Sequence, residues 1–356
     1  MDKTCIIPIF MPNLKLKENY IFCDTKEKEV KKIKKSEIKK IIENELSKVD
    51  NETNVEVVIF TRNIEDLISD KENVLELISE YIKENKITSA KISTRPESIN
   101  KNTIKILKKY KVRSIEILVP SSNDYILKKS NAQIMFSDIK KTSKLLRWNG
   151  FKVGYQMTVG LPESTRLDEI NTAKALIKLK PNTIKIFPVL VLKGTTLEKE
   201  YNNEKYVPLN LVQAVEICKE IVRMFWNKKI EILQIGIEDK EELNEFTNSK
   251  TEIVDGPYYP SFKQLVESNM WYDAIVNKIK RLNVKVKEVE VTVNPIDSDN
   301  VIGLKKENVY KLKDMYDVDL ILKQDEKVKK GKSKIEITKT YNDFLDGNEK
   351  NKKLKI

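Results

Sequence analysis

Short runs of apolar, often β-branched residues alternate along this chain with longer segments whose apolar positions recur every three or four residues. CIIPIF (from Cys5), VEVVIF (from Val55), SAKIST (from Ser89), SIEILV (from Ser114), KVGYQMTVG (from Lys152), TIKIFPVL (from Thr183) and IEILQIG (from Ile230) read as strands. NTIKILKKYK, SDIKKTSKLLRWNG and DEINTAKALIKLKP, which lie between them, read as amphipathic helices; Gly150 suits the C-cap of the second and Pro181 stops the third. Near-continuous apolar strands, each followed by a helix, predict parallel βα units with both faces of the sheet covered. The expected fold class is therefore α/β, a partial parallel (β/α) barrel over residues 1–280. After Arg281 the rhythm changes: NVKVKEVEVTVNP, VDLILK and KIEIT read as strands around a short basic helix, KKENVYKLKDMYD. Residues 281–340 are expected to form a small basic α+β unit. Residues 341–356 have little to bury and are expected to be a disordered tail.

Composition narrows the chemistry. The chain has 356 residues, 40% of them hydrophobic, which suffices for a sizeable core. Runs such as IKIFPVLVL are too short to span a bilayer and the N-terminus lacks a signal-peptide pattern, so a cytoplasmic protein with no membrane partner is expected. Cys5, Cys23 and Cys218 are far apart and odd in number, which argues against a disulfide framework and for a reducing compartment. There is no histidine at all, which removes mononuclear zinc hydrolases and Ser/His hydrolases from consideration.

The net charge of +12 is clustered. Lys101–Arg113 carries five Lys and one Arg with no acid, and Lys26–Lys40 and the last thirty-one residues are also basic. Lys101, Lys105, Lys108 and Lys109 recur at helical spacing, so much of this charge projects from one side while Ile104 and Leu107 face the core. Such a patch is either a solvated helix face or a footprint for phosphates; charge alone does not separate the two.

The order of motifs adds a resemblance. ISTRPESINKNTIKILKKYKVRSIEILV, GYQMTVGLPESTRLDEINTAKALIKLKPNTIKIFPVLVLKGTTLEKEY and VDGPYYPSFKQLVES resemble the radical S-adenosylmethionine core of the Elongator catalytic-subunit family, in particular its short bacterial homologues without the acetyltransferase domain. The resemblance covers Cys5 to Trp271 and, more weakly, the C-terminal unit. It implies a radical-SAM-type barrel, a [4Fe-4S] cluster, S-adenosylmethionine, and chemistry that starts carboxymethyl-type modification of wobble uridine in tRNA. The family supplies three cysteines spaced C-x3-C-x2-C after the first strand, because thiolates hold iron at the potentials that cleave a sulfonium bond. Here those positions are Leu16, Tyr20 and Cys23. Leu offers no lone pair and Tyr only a hard oxygen.

Other departures fall on the implied cofactor site. The family's glycine pair after the second strand is Thr61 and Arg62; its Glu-x-Gly-x-Gln-Ser strand end becomes EILVPS, keeping Glu116 but placing Leu118 and Pro120 at the Gly and Gln places. Ala132, Gln133, Ile134 and Met135 replace Arg-Gly-His-Thr, and Tyr155 and Tyr259 stand where histidine is common. Leu16, Tyr20, Cys23, Thr61, Arg62, Glu116, Leu118 and Gln156 are thus remnant positions of a site expected to hold no metal, cluster or S-adenosylmethionine, with no catalytic residue. VIGLKKENVYKLKDMYDVDLIL is similar to part of a KH module, whose Gly-x-x-Gly turn is here Gly303-Leu304-Lys305-Lys306, and equally to an ordinary basic appendage. Lys305, Lys306, Lys311 and Lys313 there, with Lys101, Lys105, Lys108 and Lys109, are the candidate phosphate contacts. The expected function is a catalytically degenerate radical-SAM-fold protein that binds RNA, tRNA foremost, and is related to wobble-uridine modification. The alternatives are a scaffold or regulator of an active paralogue, and an active radical SAM enzyme with a noncanonical cluster.

Overall fold

The computed structural model describes residues 4–11, 20–22, 33–50, 52–69, 72–238, 252–282 and 284–341. The remnant positions Leu16 and Cys23, and the expected tail beyond Tyr341, lie outside the described residues. Two compact units divide at Pro260/Ser261.

In the first unit the order is β1 (Thr4–Phe10), α1 (Lys35–Leu46), β2 (Asn54–Phe60), α2 (Val74–Lys83), β3 (Ser89–Thr94), α3 (Lys101–Lys109), β4 (Ser114–Leu118), α4 (Asp124–Lys129), α5 (Phe136–Trp148), β5 (Lys152–Val159), α6 (Arg166–Lys178), β6 (Thr183–Pro188), α7 (Thr196–Asn202), α8 (Leu211–Trp226) and β7 (Glu231–Ile235). All seven strands are parallel, and neighbours in sequence are neighbours in the sheet. Helix starts are set locally: Asn73, Asn100, Thr165 and Asn210 accept hydrogen bonds from backbone amides of the first turns of α2, α3, α6 and α8.

Side chains alternate across the sheet. One face is apolar and buried, with Ile7 and Ile9, Val57 and Ile59, Ile92, Ile115 and Ile117, Val153 and Met157, and Ile184 and Ile186. The other face carries Glu56, Phe60, Lys91, Ser93, Glu116, Gln156 and Lys185. The near-continuous apolar character read from the strands holds for the first face only; the second is a polar inner wall. Its curvature is visible in one contact, the Lys185 ammonium standing 5.6 Å from the ring centroid of Phe60. Those residues belong to β6 and β2, and at about 4.8 Å per strand a flat sheet would hold them roughly 19 Å apart. The sheet is therefore a half-barrel, with these side chains inside and the helices outside.

The second unit comprises α9 (Phe262–Lys280), β8 (Val286–Val293), α10 (Ser298–Ile302), α11 (Glu307–Tyr316), β9 (Asp319–Gln324) and β10 (Ser333–Thr340). Central β8 pairs with β9 in parallel and with β10 in antiparallel fashion. Trp271, Ile275 and Ile279 of α9 join Val289, Val291, Val301, Leu312 and Ile337 in one core. This unit therefore begins at Ser261, ahead of residue 281 where the sequence pattern changes. Gly303 sits at φ +81 with the place of a Cβ 3.0 Å from Asn308, so this turn needs glycine. Among the described residues no helix is long and apolar enough to cross a membrane.

Candidate functional site

The inner wall is a connected polar network. Glu116 on β4 is 1% exposed. One of its carboxylate oxygens takes the Lys185 ammonium at 3.2 Å and a hydrogen bond from the Gln156 amide. Gln156 also donates to Ser93 Oγ at 3.1 Å, linking β5 to β3 across β4. A second pair, Lys91 with Glu56 at 2.7 Å, joins β3 to β2. Phe10 and Phe60 stack at 4.6 Å beside it. Of the remnant positions, Glu116 and Gln156 are thus brought into direct contact, and Leu118 shares their face. Tyr155, next to Gln156, points the other way into the helix layer, where burial holds its phenol up at about 12. Lys185, Ser93 and the Glu56–Lys91 pair were not singled out from the sequence. The signal was present as a single charged residue inside each of four otherwise uncharged strands, Glu56, Lys91, Glu116 and Lys185.

The C-terminal ends of the strands form the mouth. Ile21 is pinned there: its amide donates to the Ser130 carbonyl at 3.3 Å, its carbonyl accepts from the Leu197 amide at 2.9 Å, and its side chain packs with Ile126, Leu161, Val189 and Tyr206. Adjacent Tyr20 is 2% exposed. Its ring stacks on Phe22 at 5.2 Å and lies under the Arg95 guanidinium at 4.7 Å. Thr61 directs its backbone amide to the Ser93 carbonyl at 3.0 Å, and its hydroxyl closes a local turn by donating to the Asn63 carbonyl at 2.8 Å. Arg62 beside it is half-buried. Next to the Ile21 cluster, Glu169 of α6 accepts from the Gly160 amide at 2.8 Å and from Ser164 Oγ, while Tyr206 donates to the Gly160 carbonyl at 2.7 Å. Burial raises Glu169 to about 7.

A three-thiolate cluster does not fit this donor set. Tyr20, which the resemblance places at the second ligand position, is a packed phenol under a guanidinium, and Leu16, which it places at the first, has no donor. The remaining thiols offer no replacement. Cys218 is fully buried on α8, and burial pushes its thiol well above the usual range. Cys5 pairs in register with Val55, at the strand ends opposite the mouth.

The eight candidate lysines divide. Lys101, Lys105, Lys108 and Lys109 are all exposed on α3; Lys108 donates to Asn149 Oδ1 at 2.9 Å and Lys109 lies 5.0 Å from the Tyr110 ring. Lys305 and Lys306 are exposed on the turn between α10 and α11, both with positive φ, and form no ion pair among the described residues. Lys311 pairs with Glu307 at 2.6 Å, and Lys313 with Asp317 at 3.1 Å and Asp319 at 2.8 Å. Those last two charges are largely compensated within the unit.

The half-barrel, its inner polar wall and the turn chemistry at its mouth define a class, and sequence comparison agrees with it. Residues 21–176 match the Radical SAM superfamily domain and residues 181–272 the Radical_SAM C-terminal domain, so the chain belongs to the radical SAM superfamily. Within it, the chain is homologous to tRNA uridine(34) acetyltransferase of Methanocaldococcus jannaschii, 29% identical over 129 residues, which are 35% of this chain and 24% of that protein. An uncharacterised protein of the same organism is 32% identical over 130 residues, 35% of this chain and 40% of the relative. The matched segments thus span less than half the length of these relatives. In fold the chain is similar to Methanocaldococcus infernus Elp3 lacking its N-terminus, with a TM-score of 0.54 and 16% identity over 78% of this chain and 64% of that one. It is also similar to methylornithine synthase, with a TM-score of 0.50 and 13% identity over 73% and 72% of the two chains.

Proposed function

We propose that this chain is a radical-SAM-fold protein that has lost the cluster chemistry of its superfamily and binds RNA of the tRNA class in the cytoplasm. The observation that carries the first half is Tyr20, packed under Arg95 at a position where the cluster needs a thiolate. With Leu16 beside it in the motif, Cys23 alone cannot hold a [4Fe-4S] cluster against exchange. The second half is supported by the homologues named for tRNA uridine(34). It is supported too by two exposed lysine clusters, on α3 and on the Lys305–Lys306 turn. That turn joins two helices between parallel strands, the arrangement in which a KH module clamps nucleic-acid backbone.

A different reading, a protein-docking role, is favoured by Leu167, Val207 and Val212, which are exposed at or just before the starts of the neighbouring helices α6 and α8. Fluorescence anisotropy with labelled tRNA separates the two. The expected result is binding that weakens steeply with salt and is unchanged by Cys23→Ser or by added S-adenosylmethionine. Absence of binding at low salt rejects RNA and leaves the protein-docking reading.

A further inference from the structure

The edge of the half-barrel opposite the mouth is built from five turns that lead from a helix back into a strand. Each places one residue in the left-handed conformation just past the helix: Asn85 before β3, Lys111 before β4, Gly150 before β5, Lys180 before β6 and Lys229 before β7. Glycine or asparagine is the residue such a position favours, because a Cβ there crowds the following carbonyl. Three of the five carry lysine instead, at φ of 60, 53 and 57. Strain repeated at equivalent places points to a use for the side chain that tolerates it.

The surroundings agree. Residues 108–114, 147–152, 178–183 and 226–230 hold Lys108, Lys109, Lys111, Arg113, Arg147, Lys152, Lys178, Lys180, Lys228 and Lys229 and no Asp or Glu, in a chain whose acids number 54 against 66 bases. Acids appear only at the margins of the arc, as Asp50, Glu52 and Glu84 near β2 and β3 and Glu231 inside β7. The favourable interaction of cations with helix C-termini accounts for those in the last helical turns. It does not account for Lys111, Arg113, Lys152, Lys180, Lys228 and Lys229, which lie beyond the helix ends. Adjacent turns are tied together by Lys108 to Asn149 at 2.9 Å, by the Lys152 amide to the Arg113 carbonyl at 2.8 Å and by Arg147 to the Lys180 carbonyl, so the arc before β4, β5 and β6 is one connected edge. Within it stands Trp148, 76% exposed, with the Lys144 ammonium 4.3 Å from its ring; Trp226, 40% exposed, flanks the last turn.

We propose that this edge is an RNA-binding surface in which the turn lysines hold phosphates and Trp148 stacks on an unpaired base. A row of exposed cations beside an exposed ring suits the phosphates and an unpaired base of a single strand, whereas an acidic peptide has no base to stack and a regular duplex keeps its bases stacked inside. The proposal deepens the RNA reading above and rests on it.

The test uses the full chain, titrated with tRNA, with poly(U) and with duplex RNA across a salt series. The triple variant Lys111→Gly/Lys180→Gly/Lys229→Gly is expected to melt at a higher temperature than the parent, because the backbone strain is relieved, yet to bind tRNA more weakly. Its slope of log affinity against log salt falls by about 0.7 for each single-strand phosphate that is no longer neutralised. Trp148→Leu is expected to lose roughly five- to a hundredfold in poly(U) affinity and little on duplex RNA. A Lys305→Gln/Lys306→Gln variant serves as the comparison. If the parent binds no RNA, the RNA reading itself fails. If the parent binds and the edge variants bind equally well, or only the Lys305/Lys306 variant loses affinity, the edge is not the site and the RNA reading stands without it.

Discussion

The buried pair Glu116–Lys185 is the most consequential side-chain arrangement inside the half-barrel. A carboxylate this enclosed is held by its ammonium and amide partners, so removing one partner leaves an uncompensated charge. Lys185→Met is expected to destabilise the fold by about 3 kcal/mol or more, while Glu116→Gln together with Lys185→Met regains most of that loss; urea unfolding of the parent, the two single variants and the double variant measures the coupling. Equal loss in the single and double variants would show that Lys185 acts through packing alone. Sequence reading found Glu116 and Gln156 through a motif resemblance. It passed over Lys185 because a lone lysine in TIKIFP also suits a solvent-facing strand position, and only the curvature of the sheet turns that position inward. Thr61 and Tyr20 were legible as departures from the motif. Their self-contained bonding, a hydroxyl closing its own turn and a ring under Arg95, depends on contacts between separate loops that no local pattern carries.

Helix α6 carries a titration into the mouth. Its Glu169 holds the Gly160–Ser164 turn, and burial raises the folded value to about 7 from an ordinary carboxylate value near 4.5. The folded state therefore binds the proton more tightly than the unfolded one. The stabilisation is full below about pH 4.5 and is lost as pH rises through about 7, by on the order of 3 kcal/mol. Glu169→Gln keeps the hydrogen-bond acceptor and is expected to flatten stability across that window relative to the parent; parallel pH dependences for both would place the titration elsewhere. In the second unit Asn308 donates to the Ser268 carbonyl at 2.9 Å and the Val301 carbonyl at 3.1 Å, tying α11 to α9 and α10. Asn308→Ala is expected to cost about 2 kcal/mol, read as a lower midpoint in chemical unfolding, whereas a shift within a few tenths of a kcal/mol would mean those carbonyls find other partners. The seven strands were legible because their apolar runs are bounded by turn residues. The membership of α9 was not: its apolar stripe is compatible with either core, and packing with β8 decides it.

At the scale of the molecule, fold and chemistry separate. The half-barrel is held by an apolar outer face packed under helices and by internal ion pairs, and none of these depends on a cluster bound in one loop. A chain could therefore keep the radical SAM architecture without the cluster, as the reading proposed above for Leu16 and Tyr20 requires. The lysine edge was invisible in the sequence for a related reason, since Lys111, Lys180 and Lys229 are far apart in the chain and become equivalent only when parallel strands line up their turns. The central claim is that this fold no longer supports cluster chemistry, and iron and sulfide analysis after anaerobic reconstitution tests it most directly. The account predicts iron and sulfide far below stoichiometry and no reductive cleavage of S-adenosylmethionine by the reconstituted protein. About four irons and four sulfides per chain, with 5′-deoxyadenosine formed on reduction, would contradict it.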